Sequence, residues 1–265
     1  MGMFAAFGPH RSLVMELTRR EILGRYRGAS FGMLWSLLSP FLMLLVYTLA
    51  FGFVLKGRWP GGSEQSTYDF ALIVFVGLIV HGLFAEILNR SPLLIVGNSN
   101  LVKRVVFPLD LLVWSMALTA LFHVGMNTVV LLVMRVFAEG AIAPTAVFFP
   151  LVILPLLVLA VGVGWIVSAL GVFFRDLGQV VGVIATAMLF LSSALVPVDS
   201  VPEHYRLVFQ LNPLSFIIDQ SRNVLLWNRM PDWQGLALYM LGALAIAWLG
   251  HGLFAKLRRG FADVL

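Results

Sequence analysis

Six long stretches of the chain contain no Asp, Glu, Lys or Arg, and this distribution of charge constrains the fold more than any other feature. The stretches are 28–55, 70–85, 111–134, 140–174, 177–198 and 233–255. A helix that crosses a bilayer needs about 20 mostly apolar residues. Composition agrees, because 60% of the residues are hydrophobic and 12% are charged, whereas about 25% of a soluble domain is charged. The sequence therefore predicts an all-α membrane protein with six transmembrane helices.

A single transmembrane domain over 1–265 accounts for these stretches without a linker or an internal repeat. The second stretch is short, but Ile87 and Leu88 extend it past Glu86. A very apolar soluble core is the alternative, and six stretches of this length argue against it. The predicted spans are 35–56, 70–88, 109–135, 145–174, 177–197 and 233–255.

The basic residues predict the orientation of these spans. The chain has 18 Lys and Arg residues and a net charge of +5. When the six spans alternate, most of the basic residues fall on the side of the amino terminus. The positive-inside rule then places both termini in the cytoplasm. Nucleic-acid binding has no separate support, since no motif interleaves basic with aromatic residues.

Two segments outside the spans have a mixed polar and apolar character. Residues 10–34 are basic and moderately amphipathic, which predicts an interface helix before the first span. Residues 198–232 lie between the fifth and sixth spans, and their middle is apolar. That pattern is typical of short re-entrant or interfacial helices. We expect 198–232 to form them on the outer side, where the exit gate of a transporter would lie.

The side chains needed for several kinds of chemistry are missing from the sequence. The chain has no cysteine, which excludes thiolate metal sites and cysteine nucleophiles. It has no GxxxxGK[ST] loop to hold the phosphates of ATP. Residues His81 and His123 fall within spans, where an interhelical hydrogen bond is the simplest role for each. We therefore predict no catalytic residue, no metal site and no cofactor in this chain.

Ionisable groups are also scarce within the spans, although a proton- or ion-coupled pump needs them there. The energy for transport must then come from a partner, or transport must be passive. A membrane-embedded transferase would need clustered acids, but the candidate aspartates are dispersed over both predicted sides: Asp69, Asp110, Asp176 and Asp219. Close helix packing is predicted at Ala160, Gly164 and Ser168, which recur at a spacing of four residues.

Several short segments, in this order along the chain, resemble ABC-2-type polysaccharide export permeases. The segments are Arg19-Arg20-Glu21, RYRGASFGMLWS from Arg25 with the following Ser39-Pro40, NSNLVKRVVFPL from Asn98, FFRD from Phe173, VPE from Val201, NPL from Asn212 with the later Arg222, and the tail FADVL. Each segment alone is a weak signal, but together they cover almost the whole chain.

The resemblance implies a transport subunit rather than an enzyme. It implies a homodimer in the bacterial inner membrane that pairs with two copies of a nucleotide-binding subunit, which would hold ATP and Mg²⁺. The substrate would be a lipid-linked polysaccharide of the O-antigen type. Teichoic acid, capsule polymer, a drug or a small lipid is the alternative substrate, and a membrane-embedded transferase for a lipid-linked sugar is a more distant alternative.

The same resemblance implies roles for individual residues. Contacts with the ATPase are expected from residues of the amino-terminal segment and of two cytoplasmic loops: Arg19, Arg20, Glu21, Asn98, Asn100, Lys103, Arg104, Arg175 and Asp176. The Arg175–Asp176 pair is equally well explained as a salt bridge that ends a span. The periplasmic gate would include Pro202, Glu203, Asn212, Pro213 and Arg222. Candidate aromatic residues for a sugar channel are Tyr47, Phe51, Phe75, Phe122, Trp165 and Phe190.

Overall fold

A computed structural model describes residues 10–50, 67–102 and 107–265 of the chain. These residues form α-helices, short 3₁₀ turns and connecting loops, and no strand occurs among them. The fold class predicted from the sequence, all-α, is confirmed. The helices are α1 (Arg11–Tyr26), α2 (Trp35–Tyr47), α3 (Thr67–Leu94), α4 (Ser99–Val102), α5 (Asp110–Glu139), α6 (Phe149–Phe173), α7 (Leu177–Phe190), α8 (Glu203–Leu211), α9 (Pro213–Leu225), α10 (Trp233–Leu257) and α11 (Phe261–Val264).

Five helical segments in the described ranges are long and apolar enough to cross a bilayer. They are Gly32–Ala50, Tyr68–Leu94, Asp110–Ala138, Pro144–Phe173 and Trp233–Val264. Each overlaps one of the predicted spans.

The remaining predicted span, 177–197, has a different structure. Helix α7 has only 14 residues, or about 21 Å at 1.5 Å per residue. The chain then turns through Ser192 and Ser193, which are buried. Apolar sequence continues past the end of α7 into a turn whose centre, Ser192 to Ala194, is buried, whereas Leu191 and Val196 are exposed.

Helix α6 is the centre of the bundle, and glycine residues bring its neighbours close to it. A Cβ atom added at Gly162 would lie 2.6 Å from the Cα atom of Ala247 in α10. One added at Gly164 would lie 3.2 Å from Val113 in α5 and 3.3 Å from Ile87 in α3. The close packing predicted around Gly164 is therefore confirmed, and Gly162 adds a tighter contact.

Helix α1 packs along the first half of α5. Val14 and Leu111 are both fully buried, and the hydroxyl of Thr18 donates to that of Ser115 over 3.4 Å. Helix α5 has 30 residues, which makes it about 45 Å long, whereas the hydrocarbon core of a bilayer is about 30 Å thick. Helix α5 is therefore longer than a perpendicular crossing requires, and α1 covers its amino-terminal portion.

Candidate functional site

A cluster of charged side chains joins α1, α3 and α5. The Glu86 carboxylate of α3 accepts a hydrogen bond from Arg25 of α1 at 3.0 Å and another from Arg90 at 3.2 Å. The Nδ1 atom of His123 in α5 lies 2.8 Å from the second oxygen of Glu86. Arg90 also forms an ion pair with Glu21 of α1. Glu86 is thus the common partner of three basic groups on three helices.

Local spacing explains part of this cluster. Glu86 and Arg90 are four residues apart on α3, and Glu21 and Arg25 are four residues apart on α1, so each pair shares one helix face. Packing α1 against α5 then brings the two faces together with His123. The sequence predicted His123 as an interhelical hydrogen bonder, and this prediction is confirmed. Its partner Glu86 lies within α3, which continues to Leu94.

The second predicted interhelical histidine lies elsewhere in the bundle. A ring nitrogen of His81 in α3 is 3.0 Å from the carbonyl oxygen of Ala185 in α7. His81 therefore ties α7 to α3, as the sequence predicted, and does not belong to the Glu86 cluster.

A cavity of about 340 Å³ opens beside the Glu86 cluster. Four helices form its walls: α1, α2, α3 and α5. The lining combines aromatic rings, hydroxyl and amide groups, and the charged cluster: Arg25, Tyr26, Trp35, Ser36, Ser39, Pro40, Met43, Tyr47, Phe75, Leu78, Ile79, Glu86, His123 and Asn127. Such a mixture of aromatic surface and hydrogen-bonding groups suits a polyhydroxylated ligand.

The structure places the candidate channel aromatics in different environments. Tyr47 and Phe75 line the cavity. Phe122 packs edge-on against His123, with ring centroids 5.7 Å apart. Phe190 is 61% exposed at the end of α7. Phe51 lies outside the described residues.

The sixth candidate aromatic, Trp165, lies in the interior of the bundle. Its side chain is 0% exposed. Its ring packs edge-on against Trp114 of α5, with centroids 5.7 Å apart, and against His251 of α10, with centroids 5.1 Å apart. In this structure Trp165 therefore packs between helices.

Some of the residues expected to contact the ATPase converge on one cleft. Arg20, Glu21 and Asn98 line a cleft of about 230 Å³ between α1, α5 and the carboxyl end of α3. The Asn98 amide donates to the carbonyl of Leu94 at 2.8 Å. Arg19 precedes Arg20 in α1, and Asn100 follows Asn98 by two residues; both side chains are exposed.

The other residues expected to contact the ATPase lie away from this cleft or outside the residues that the structure describes. Arg175 and Asp176 are exposed in the turn between α6 and α7. No ion pair joins Arg175 to Asp176 among the bridges of the described residues. Lys103 and Arg104 lie outside the described residues. The turn follows the carboxyl end of α6, where Gly171 contacts Pro92 of α3, so it lies at the same end of the bundle as Asn98.

At the opposite end, Arg222 of α9 joins three parts of the chain. Its side chain is 0% exposed. The guanidinium donates to the carbonyl oxygens of Ile73 at 3.1 Å, Ser193 at 2.8 Å and Ala194 at 2.9 Å. It also donates to the carboxylate of Asp219 at 3.3 Å. Arg222 therefore attaches α9 to α3 and to the turn that follows α7.

Burial shifts the pKa values of both members of the Arg222–Asp219 pair. Desolvation lowers the pKa of Arg222 to about 10, although Asp219 partly offsets the effect. Arg222 is still protonated at pH 7, because its pKa lies well above that pH. Partial burial raises the pKa of the Asp219 carboxyl, and the positive charge of Arg222 offsets part of this shift.

Asn212 connects α7 to α9. Its amide nitrogen donates to the carbonyls of Met188 and Leu191, both at 2.9 Å, and so caps the carboxyl end of α7. Its side-chain oxygen accepts from the backbone N–H of Leu214 at 3.0 Å and caps the amino end of α9. Pro213 occupies the first turn of α9, where a missing N–H costs nothing.

Replacing Asn212 by aspartate should destabilise the protein as much as replacing it by alanine. Aspartate keeps the cap of α9 but sets a carboxylate against the carbonyls of Met188 and Leu191, and we expect a loss of about 1–3 kcal/mol. Thermal unfolding in detergent measures it. The control is Asp232→Asn at the cap of α10, where the side chain only accepts a hydrogen bond, from Gly235. A full rescue by Asn212→Asp would mean that the α7 contacts contribute nothing.

Helix α8 is the least integrated part of this region. Pro202 precedes α8 and Glu203 begins it, and both are exposed. Its apolar side chains Leu207, Val208 and Leu211 are also exposed. The proposed gate residues therefore fall into two groups: Asn212, Pro213 and Arg222 belong to a packed network, whereas Pro202 and Glu203 lie on a surface helix.

Two contacts in the structure were missed by the sequence reasoning. Arg135 of α5 is buried and donates to the carbonyls of Leu225 and Leu226 at the carboxyl end of α9. Asp110 at the start of α5 forms a 3.0 Å ion pair with Arg258 after α10. Asp110 and Arg135 are the charged residues on either side of the charge-free stretch 111–134. That position was the one sign in the sequence that each could have a specific partner.

Comparison with known proteins identifies the family. The ABC-2 type transporter family matches residues 12–226. The O-antigen export system permease protein RfbA of Myxococcus xanthus is 29% identical over 258 residues, which are 96% of this chain and 95% of that protein.

Two further relatives align over a similar length. The RfbA protein of Klebsiella pneumoniae is 24% identical over 96% of this chain and 95% of its own. The polysialic acid transport protein KpsM of Escherichia coli is 28% identical over 94% of each chain. The family match covers α1 to α9 and includes both the Glu86 cluster and the Arg222 network, and on this evidence the chain belongs to the ABC-2 type transporter family.

Proposed function

We propose that this chain is the permease subunit of an ATP-driven exporter that moves a lipid-linked polysaccharide of the O-antigen type across the bacterial inner membrane. The observation that carries the proposal is the end-to-end similarity to O-antigen export permeases, over 96% of this chain. The role is transport and not catalysis.

The proposed topology has six crossings with both termini in the cytoplasm. Five crossings correspond to the long apolar helices. Helix α7 and the turn at 191–197 would make the sixth, since their combined length approaches the thickness of the hydrocarbon. Helices α8 and α9 would then form re-entrant gate elements at the periplasmic end.

The proposed path for sugar runs between two copies of the chain, and the cavity beside Glu86 would open into it. Of the candidate aromatics, Tyr47 and Phe75 fit this role best, because they line the cavity together with Ser36, Ser39 and Asn127. Aromatic faces can stack on sugar rings while hydroxyl and amide groups exchange hydrogen bonds with them. A sugar would reach Trp165 only if α6 separated from its neighbours.

The energy would come from two copies of a nucleotide-binding subunit, which would hold ATP and Mg²⁺. Among the described residues of this chain, no group of three or more potential metal ligands occurs. The cleft that contains Arg20, Glu21 and Asn98 is the proposed contact for that subunit, together with Arg175 and Asp176.

A clean deletion tests the proposal. Loss of the chain should leave lipid-linked polymer on the cytoplasmic side and abolish surface polymer, whereas the purified chain alone should show no ATPase activity. Immunoblots of surface and intracellular polymer give the readout, and a plasmid copy of the gene is the control. Normal surface polymer in the deletion strain would contradict the proposal.

Lys103 and Arg104 belong to the cytoplasmic loop between the second and third spans, which is expected to contact the ATPase. Charge reversal in this coupling loop should uncouple ATP hydrolysis from export. For Lys103→Glu with Arg104→Glu we expect export to fall by at least about tenfold, with normal membrane insertion. Surface polymer and membrane abundance are measured together. The matched control is Lys256→Glu with Arg259→Glu, which reverses two exposed charges at the carboxyl end of α10. Unchanged export in the loop variant would remove the coupling assignment.

A second substrate class has a specific observation in its favour. The identity with a polysialic acid transport protein is 28%, almost equal to that with RfbA. A polymer of the polysialic acid type is therefore the leading alternative, ahead of another capsule polymer, teichoic acid, a drug or a small lipid. Identification of the ATPase that co-purifies distinguishes them. A carbohydrate-binding extension on that subunit would favour O-antigen, and neighbouring glycosyltransferases would favour a polymer of either type.

A further inference from the structure

An apolar groove of about 530 Å³ runs between α2 and α5, separate from the cavity beside Glu86. Every side chain that lines it is aliphatic or aromatic, or is Met134. Phe137 is 82% exposed along its edge, and Leu34 and Val133 are also exposed. Both helices are candidate membrane spans, so an apolar groove between them lies within the part of the chain that would cross the bilayer.

The groove and the cavity use opposite faces of α2. The groove residues of α2, together with the residue just before it, are spaced i, i+3, i+4 and i+7, which places them on one face: Leu34, Leu37, Leu38 and Phe41. The cavity is lined by Ser36, Ser39 and Met43, which lie about half a turn away at 100° per residue. Helix α2 therefore separates a polar compartment from an apolar one.

The two compartments meet at the amino end of α2. Phe31 lines the groove and Trp35 lines the cavity, and their rings are in edge-to-face contact with centroids 5.8 Å apart. Arg25 and Tyr26 of the cavity precede this point by a few residues. A ligand with a polar head and an apolar chain could therefore occupy both compartments by bending around this end of the helix.

We propose that the groove holds the hydrocarbon chain of a sugar-bearing lipid whose head group enters the cavity on the opposite face of α2. The inference rests on the proposed function, which supplies a substrate of this chemistry. The fully apolar groove suits a hydrocarbon chain, because burial of apolar surface drives its binding. The cavity suits the polar head group of the lipid. Its hydroxyl, amide and charged side chains can exchange hydrogen bonds with a sugar, whereas a hydrocarbon chain would leave them unsatisfied.

Photolabelling tests the proposal in the complete transporter, permease with ATPase, in lipid nanodiscs. The first probe is a glycosylated polyprenyl phosphate that carries a diazirine on its chain. The second is a diacyl phospholipid with a diazirine on its acyl chain. We expect the sugar-lipid probe to label the groove about tenfold more than the exposed apolar face of α10 around Leu238, whereas the phospholipid should label both faces alike. Equal labelling of both faces by both probes would overturn the proposal.

Filling the groove provides a matched pair of variants. Val133→Trp should reduce labelling of α2 by the sugar-lipid probe about tenfold. Leu238→Trp adds the same side chain to an exposed position on α10 and should leave labelling unchanged. Val133→Ala keeps the groove open and should therefore retain labelling by the sugar-lipid probe. This variant shows whether the site tolerates substitution. Full labelling of Val133→Trp, in protein that elutes as the native complex does, would contradict the proposal.

A second copy of the chain is the competing occupant, and the absence of cysteine from the sequence makes it testable. Val133→Cys should remain monomeric in oxidising detergent-free membranes on a non-reducing gel. A disulfide-linked dimer at this position would show that the groove is an interface between copies. The sugar-lipid probe could fail to label the groove while surface polymer is still lost when the protein is deleted. That result would count against the groove alone. Normal surface polymer in the deletion strain would count against the proposed function.

Discussion

Replacing Arg222 with alanine should destabilise the protein by about 3 kcal/mol or more, because three buried carbonyl groups would lose their donor. These carbonyls belong to Ile73, Ser193 and Ala194, so the loss would release α9 from both α3 and the turn after α7. We expect a lower midpoint of thermal unfolding in detergent and a loss of export at the temperature at which α9 separates. Lysine should rescue only partly, since its ammonium lacks the forked geometry that reaches three acceptors.

Asp219→Asn separates this network from a simple ion pair. If the Arg222–Asp219 pair supplied the stability, the two variants would be equally harmful. The structure predicts that Asp219→Asn costs much less, because the Asp219 side chain is 45% exposed and exposed pairs contribute little. Arg229→Ala removes an exposed arginine just after α9 and is the matched control. Equal losses in Arg222→Ala and Asp219→Asn would refute the role of the carbonyls.

The second large effect is expected at Gly171 of α6. A methyl group there would lie 2.2 Å from the carbonyl oxygen of Pro92 and 2.7 Å from its Cα atom. Both atoms belong to the backbone of α3, so the two helices would have to separate. Forced overpacking costs about 1–3 kcal/mol and occasionally more, and we expect Gly171→Ala to fall at the upper end of that range, with a lower yield of folded protein.

Gly178→Ala is the control, because its added methyl group would meet the same residue at an ordinary distance of 4.0 Å, on the Cβ atom of Pro92. It should be neutral or slightly stabilising, since alanine favours a helix over glycine by about 1 kcal/mol. Size-exclusion profiles and thermal midpoints of the two variants are compared directly. Similar values would show that the contact between α6 and α3 is not tight in the native protein.

The sequence predicted the helices of the bundle well, because charge-free length is a direct consequence of the bilayer. It did not predict that α7 ends at Phe190 within 177–197, and the reason is physical. Apolarity reports burial, and the turn at Ser192 and Ser193 is buried and has its polar groups satisfied by Ser215 and Arg222. A helix and a satisfied buried turn therefore have the same hydropathy.

The candidate site was less predictable because its partners are distant in sequence. Glu86 stood out as the charge that ends an apolar stretch, but nothing local indicated that His123 and Arg25 would share its carboxylate. Those contacts depend on α1 packing against α5, which is a consequence of tertiary structure. Similarly, Arg222 was singled out by resemblance as a gate residue, whereas its carbonyl partners became evident only from the folded chain.

The Arg222 contacts also constrain the order in which the protein can be assembled during synthesis. All of its carbonyl partners precede it in the chain, one of them by 149 residues. An arginine without partners is costly in an apolar environment. Helix α9 must therefore wait outside the bundle until α3 and the turn after α7 have been inserted. Its docking is therefore a late step of assembly, because it needs both earlier elements in place to satisfy the guanidinium.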